Sequence, residues 1–246
     1  MSKSGPVYLI DASAFIFRAY YALAPLSSKG RPSHAVAGFA SMLLKLLKEK
    51  KPKACVVVFD SKKPSFRKTI FPEYKANREV PPPDLSGQIV AAMEMCRKAG
   101  FPILQDEGYE ADDWIASFVT SSFPKEKVVI ISSDKDLAQL VNNRVSMYDS
   151  FRDRMMGPKE VVGKWGVEPE QMGDFLSITG DSSDNIPGIP GFGPKTASKL
   201  LGEYKNIGGI YKNLEQLPPK QQEKLKEQKK QLELSRRLVA LKDDLK

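Results

Sequence analysis

Nine carboxylates fall in five short clusters along this 246-residue chain: Asp11; Asp60; Glu110 with Asp112 and Asp113; Asp134 with Asp136; and Asp181 with Asp184. Each follows an apolar run or opens a helical pattern. Carboxylates brought together repel one another unless a cation sits between them, and hard divalent ions are the usual partners of oxygen-only donor sets. Yet the chain is basic, with 38 Lys and Arg against 30 Asp and Glu and a formal net charge of +8. A basic protein with a concentrated acidic centre points to metal-assisted chemistry on a polyanion. Taken singly, each cluster has an ordinary explanation, because acids suit helix N-termini and the turns after strands. Their joint occurrence in one consistent topology is the signal.

The elements that position these acids are legible from periodicity. The runs Val7 to Ile10, Ala54 to Phe59 and Val128 to Ile131 are short, β-branched and non-alternating, as in strands covered on both faces. Helical spacing separates them: Val36, Phe39, Leu43, Leu46 and Leu47 in one segment, Leu85, Ile89, Met93 and Cys96 in the next. This alternation predicts an α/β fold with a mostly parallel central sheet flanked by helices. Asp11, Asp60 and Asp134 then lie at the C-terminal ends of strands, where open α/β sheets bind ligands. In Gly108 to Asp113 a helix begins with three acids in its first turn, Glu110 and Asp113 sharing a face.

Residues 61–83, between Asp60 and the next helix, form a basic segment with interleaved aromatics. It contains Arg67, Tyr74, Lys75 and Arg78 as candidate nucleic-acid contacts, cations for phosphates and rings for bases. Phe71 fits inward packing at least as well as base stacking. Arg18, on the helix after Asp11, points by periodicity toward the same end of the sheet. Further on, Val145 to Tyr148 reads as a last strand, Phe151 to Gly157 as a polar connection, and Pro169 to Ile178 as an amphipathic helix. Gly188 to Ala197 then forms a tight, glycine-rich hairpin between two helices. Gly191 and Gly193 allow close backbone approach, and Pro194 suits the first helical position. The free N–H groups at that helix start, with Thr196, Lys195 and Lys199, make a phosphate site that grips backbone rather than base edges. Pro218 to Lys246 reads as a charged helical stretch with Leu225, Leu232, Leu238 and Leu241 as its apolar positions. The expected organisation is an α/β core over 1–160 with the basic arm at 61–83. A helical DNA-binding region follows over 161–246, with a helix-hairpin-helix at 178–204.

Two cysteines in apolar segments and a single histidine exclude a Cys/His metal site and suggest a reducing compartment. His34 opens a helix and is expected to be structural. No run approaches the roughly 20 apolar residues of a membrane span, and no signal-peptide pattern is seen. The expectation is a monomeric, cytoplasmic protein without a membrane partner.

The strings VYLIDASAFIFRAYYA, FRKTIFPEYKANR, GYEADD, SSDKDLAQLV and GDSSDNIPGIPGFGPKTASKLL, in this order, resemble the 5′ nuclease family. That family includes the N-terminal domain of bacterial DNA polymerase I, stand-alone bacterial relatives and the flap endonucleases. The resemblance spans roughly residues 6 to 245 and implies a PIN-like 5′ nuclease fold with a helical arch. It implies a structure-specific nuclease acting on branched, nicked or 5′-flapped DNA, leaving 5′-phosphate and 3′-hydroxyl ends in replication or repair. It implies two Mg²⁺ ions, replaceable by Mn²⁺, which activate water without a histidine base. Asp11, Asp60, Glu110, Asp112 and Asp113 are implied as the first metal group, and Asp134, Asp136, Asp181 and Asp184 as the second. Lys75 and Arg78 resemble the pair that contacts the scissile phosphate, Tyr74 a stacking residue beside them, and Arg18 a further phosphate contact. Backbone carbonyls of Ile178, Thr179, Pro187, Ile189 and Phe192 resemble a K⁺ site.

The chain departs from the family pattern at Ala12 and Ser133, where glycine is common, and neither change removes a ligand. Stand-alone nuclease and nuclease module of a longer chain fit the sequence equally, and a polymerase or ligase partner is compatible with both. A branched-DNA-binding module without activity is the main alternative and predicts an eroded acidic set. A related RNA nuclease fits the helix-hairpin-helix less well.

Overall fold

The computed structural model describes residues 5–122 and 125–245; the expected outer ends at 1 and 246 lie outside the described residues. The three anticipated strands form, as β1 (Val7–Asp11), β4 (Ala54–Val58) and β6 (Val128–Ile131). Between β1 and β4 come α1 (Ala12–Ala22), a small hairpin of β2 (Ser27–Ser28) and β3 (Arg31–Pro32), and α2 (His34–Lys50). Between β4 and β6 come α3 (Phe66–Ile70), α4 (Pro83–Lys98), β5 (Ile103–Leu104) and α5 (Ala111–Ser117). The polar connection expected at 151–157 instead turns back as β8 (Arg154–Met156), antiparallel to β7 (Val145–Asp149). The strand order is β5-β4-β1-β6-β7-β8, parallel except for β8.

Sheet pleating sorts the strand residues into two cores. Leu9, Val56, Val58 and Ile130 face one side, which is covered by α5 and the C-terminal helices. Ile10, Val57, Phe59 and Ile131 face the other, beneath α1, α2 and α4. The chain runs outward from β1 to β4 and β5, then returns to lay β6 on the other side of β1. That reversal opens a crevice at the C-terminal edge, next to Asp11.

The remaining helices are α6 (Pro158–Trp165), α7 (Met172–Thr179), α8 (Pro194–Tyr204), α9 (Ile207–Lys212), α10 (Pro219–Glu227) and α11 (Lys229–Val239). The helix-hairpin-helix is α7 and α8 with their connecting loop. Gly180 and Gly188 adopt φ of +71° and +61°. A Cβ at Gly180 would lie 2.5 Å from the Ile186 carbonyl oxygen, so the two backbones touch there. From the C-terminal helices, Gln231 donates to the Gly188 carbonyl (2.6 Å) and Lys224 to that of Pro190 (3.1 Å). The expected single charged stretch after 218 is therefore two helices clamped on the hairpin. Leu225, Leu232 and Leu238 are buried as expected, and the chain beyond Val239 leaves the helix.

An ion pair under the acidic edge explains that exit. Arg67 is 2 % exposed and Asp113 is 0 % exposed, and the guanidinium grips both carboxylate oxygens at 2.7 and 2.8 Å. Arg67 also donates to the carbonyls of Leu238 (2.7 Å) and Ala240 (2.8 Å), and the Lys242 N–H donates to Asp113 (2.9 Å). These bonds take the place of helix continuation after Val239 and lash the C-terminal segment to α3 and α5. Two expectations are corrected here. Arg67 is enclosed in the interior and has no face for DNA, and Asp113 spends both oxygens on Arg67, the Lys242 N–H and its own helix start rather than on a metal.

Removing one member of a buried pair leaves the other charge unsolvated. Arg67→Ala should therefore lower unfolding free energy by about 3–5 kcal/mol, read from urea denaturation. A loss below 1 kcal/mol would mean that water replaces the guanidinium freely.

Candidate metal centre and nucleic-acid interface

Eight of the nine predicted carboxylates gather at the C-terminal edge of the sheet or border it. Asp11 ends β1 and caps α1: Oδ1 accepts the Ala14 N–H (3.1 Å) and Oδ2 the Ser132 hydroxyl (2.8 Å). Asp60 follows β4 and accepts the Ala111 N–H (2.9 Å), which fixes the start of α5. Glu110 caps α5 in a capping box with Asp113. No hydrogen bond reaches the Asp112 carboxylate among the described residues. Across the crevice, Asp134 accepts the Asp136 N–H (2.9 Å). One oxygen each from Asp136, Asp181 and Asp184 lies within 4.8 Å of the others, so a single ion could bind all three.

Crowding is visible in the protonation behaviour. Asp11 is pushed up to about 7 by burial, then by the neighbouring Asp60 and Asp134 charges, against hydrogen bonds from Ala14 and Ser132. Asp136 is pushed up to about 8 by burial and by Asp134, Asp184 and Asp181. Asp112 rises well above the carboxylate range through burial and the charges of Asp134, Asp11 and Asp136. Asp181 behaves oppposite to these. Burial raises it, but hydrogen bonds from Ser183 and Lys135 outweigh that and hold it below its ordinary value. The Oδ1 of Asp136 is buried without a hydrogen-bond partner. Oxygen-only donors, raised proton affinities and an orphaned buried oxygen fit a divalent cation.

The basic arm folds directly over this centre. Lys75 donates to Glu110 (2.6 Å) and lies 3.6 Å from Asp184, and Arg78 pairs with Asp184. Two hydrogen bonds hold it: the Lys75 N–H donates to the Asp184 carbonyl (2.9 Å), and the Asn185 side-chain amide donates to that of Glu73 (2.7 Å). The expectation of Tyr74 as a base-stacking residue is corrected. Its ring is 3 % exposed, and its hydroxyl lies 3.0 Å from Glu110 and 3.2 Å from Asp184, so it positions carboxylates. Phe71 is partly buried and packs against the core, the inward one of its two readings.

Other predicted residues lie elsewhere. Arg18 stands two helical turns from Asp11, with its guanidinium 4.1 Å from the Phe151 ring centre, and forms no ion pair with the acidic cluster. Lys195, Thr196 and Lys199 line one cleft at the start of α8, with Gly191 and Gly193 exposed at the hairpin tip before it. The carbonyls of Ile178 and Ile189 already accept the Ile189 and Phe192 N–H groups at 2.8 and 3.0 Å. Thr179 and Pro187 flank them in the hairpin. His34 is buried against Tyr20, in keeping with a structural role.

Sequence reasoning missed Ser132, which orients Asp11, and Lys135, which pairs with Asp181 at 2.9 Å. Lys135 stands between Asp134 and Asp136, so its place in the string was a signal. Ser132 had none beyond following a strand.

Residues 6–166 match the 5′-3′ exonuclease N-terminal resolvase-like domain, and residues 167–246 the 5′-3′ exonuclease C-terminal SAM fold. The chain is 43 % identical over 256 residues to a DNA polymerase I of Rhizobium leguminosarum, covering 100 % of this chain but only 25 % of that protein. It is 42 % identical to a 5′-3′ exonuclease of Aquifex aeolicus, covering 97 % of this chain and 82 % of that protein. The structure of the T5 5′-exonuclease with bound divalent zinc superposes with a TM-score of 0.81 at 26 % identity, over 96 % of this chain and 90 % of the other. The Rad2 catalytic core, solved with DNA substrate, shares the fold at a TM-score of 0.59 and 20 % identity, over 94 % of this chain and 71 % of the other. With both family domains matched in order along residues 6–246, the chain belongs to the 5′-3′ exonuclease family.

Proposed function

We propose that the protein is a metal-dependent, structure-specific 5′ nuclease that hydrolyses DNA phosphodiesters at 5′ flaps, nicks or ends. It leaves 5′-phosphate and 3′-hydroxyl products and serves replication or repair in the cytoplasm. The observation that carries this reading is the crowded carboxylate edge with an unpartnered buried Asp136 oxygen and two cations of the arm held against it. Asp11, Asp60, Glu110 and Asp112 would hold one Mg²⁺ or Mn²⁺, and Asp134, Asp136, Asp181 and Asp184 a second. Bound there, such ions supply Lewis-acid stabilisation and lower the pKa of water.

The chain's own residues do the rest. Tyr74 orients Glu110 and Asp184 through its buried hydroxyl, and Ser132 does the same for Asp11. Lys75 and Arg78 are poised to offset charge building on the reacting phosphate. Lys195, Thr196 and Lys199, with Gly191 and Gly193, hold duplex backbone at a distance from the cut. A K⁺ ion at the carbonyls of Ile178, Thr179, Pro187, Ile189 and Phe192 would stiffen that hairpin, and Arg18 remains a candidate contact for an adjacent phosphate. The chain spans about a quarter of its DNA polymerase I relative, so a polymerase module, in the same chain or a separate one, is a fitting partner.

Cleavage of a 3′-labelled 5′-flap DNA tests this reading: junction-length product with Mg²⁺ and none with chelator is expected, and intact DNA at saturating protein would overturn it. Asp112→Asn should lower the rate by about 100-fold or more. Lys75→Ala should lower kcat by about 10²–10³-fold with little change in DNA affinity.

The raised carboxyls set a pH signature. Asp11 and Asp136 bind protons more tightly folded than unfolded, so their contribution to stability is complete below about pH 4 and is lost as pH rises through about 7 to 8. A bound divalent ion removes that penalty. The gain in Tm on adding Mg²⁺ should therefore be larger at pH 8 than at pH 5.5, and equal gains would contradict the assignment. Lys195→Ala should flatten the salt dependence of duplex binding by about one unit of slope; an unchanged slope would return Lys195 to the solvated surface.

A further inference from the structure

A cavity of about 470 Å³ opens beside Asp134, between the β7–β8 hairpin and α6, on the flank of the acidic centre away from the arm. Arg152 and Arg154 reach it from the hairpin, and Lys159, Lys164 and Trp165 from α6. Two carboxylates other than Asp134 accompany these four cations, and both are engaged. Glu160 caps the Gly157 N–H at 2.8 Å, and Asp149 accepts the Phe151 N–H at 3.0 Å while standing 3.5 Å from Arg152. Among the described residues no ion pair reaches Arg154, Lys159 or Lys164. The Lys164 ammonium sits 4.2 Å from the Trp165 ring centre. Burial, then the charge of Arg152 with those of Arg154 and Lys135, lowers its proton affinity. The four cations thus outnumber the three carboxylates of the lining, and an anion would relieve the excess.

The sheet order gives the cavity its meaning. The arm follows β4 on one side of β1, and the cavity belongs to β6, β7 and β8 on the other. Neighbouring strands are about 5 Å apart, so the cavity lies within roughly 10 Å of the end of β6 and its carboxylates. A polyanion with one phosphate at the carboxylates has further phosphates at that distance on each side.

We propose that this cavity is a second phosphate subsite, which holds DNA backbone on the flank of the acidic centre opposite the arm. The inference rests on the reading of the protein as a DNA nuclease. Arg154 and Lys164 neutralise the phosphate, and the apolar side of the cavity, Trp165 included, packs against the sugar. Contacts of this kind add affinity and orientation without sequence preference.

The test is the salt dependence of binding of a fluorescent 5′-flap DNA, measured by anisotropy in chelator so that no cleavage occurs. Arg154→Ala with Lys164→Ala should reduce the slope of log K against log salt by about 0.9, the value for one lost phosphate contact. Arg97→Ala with Lys98→Ala removes the same charge from exposed positions at the end of α4, by the opposite edge of the sheet, and should leave the slope near the wild-type value. Unchanged thermal unfolding of both double variants guards against misfolding, since all four side chains are exposed. A wild-type slope for the Arg154 and Lys164 pair, or an equal reduction for both pairs, would overturn the proposal. Cleavage by wild-type protein in Mg²⁺ is read separately on the same DNA. Its failure would refute the nuclease reading, whereas the slope speaks to the subsite alone.

Discussion

Mutual repulsion among carboxylates at the C-terminal edge of the sheet is the constraint that the surrounding structure answers. Burial and like charge raise the proton affinities of Asp11, Asp112, Asp134 and Asp136, and among the described residues no cation pairs directly with any of them. Such a cluster is unfavourable without a counter-ion, and proteins retain strain of this kind where function uses it. The rest of the fold limits the cost. Backbone N–H groups at the starts of α1 and α5 serve Asp11 and Asp60, and hydroxyls of Ser132 and Ser183 serve Asp11 and Asp181.

Cations are placed around that cluster in two tiers. Arg67 is locked below it with Asp113, where neither can leave without exposing a buried charge. Lys75 and Arg78 are held above it at partly open positions, on carboxylates that also face the crevice. The lower tier is architecture, since it ties α3, α5 and the segment after α11 into one joint. The upper tier is open to solvent, Arg78 being exposed and Lys75 partly so. Tyr74 lies between the tiers, and its hydroxyl bridges the two acceptors.

Much of this was readable from the string. β-branched runs followed by acids placed the strands and the crevice, because a parallel sheet buried on both faces leaves only its strand ends for polar chemistry. Helical periodicity placed α2 and α4, and the glycines of the hairpin placed the turn before α8. Misreadings came where a residue's type fits two environments. Arg67 and Arg78 lie in one basic segment, and a guanidinium suits DNA or a buried carboxylate equally well. Asp113 shares a helix start with Asp112, and one position along a helix turns a side chain by about 100° from crevice to interior. β8 escaped notice because a three-residue edge strand has too short a pattern to register.

Local sequence thus decided which elements form, where the acids cluster and that a basic protein carries an acidic centre, because periodicity, turn chemistry and charge act over a few residues. The tertiary structure alone decided which acids share a site. Bringing Asp11 beside Ser132, or Arg67 beside Asp113 and Ala240, closes loops of more than forty and more than a hundred residues. Contacts at that range depend on the packing of every intervening element, so no short stretch of residues encodes them.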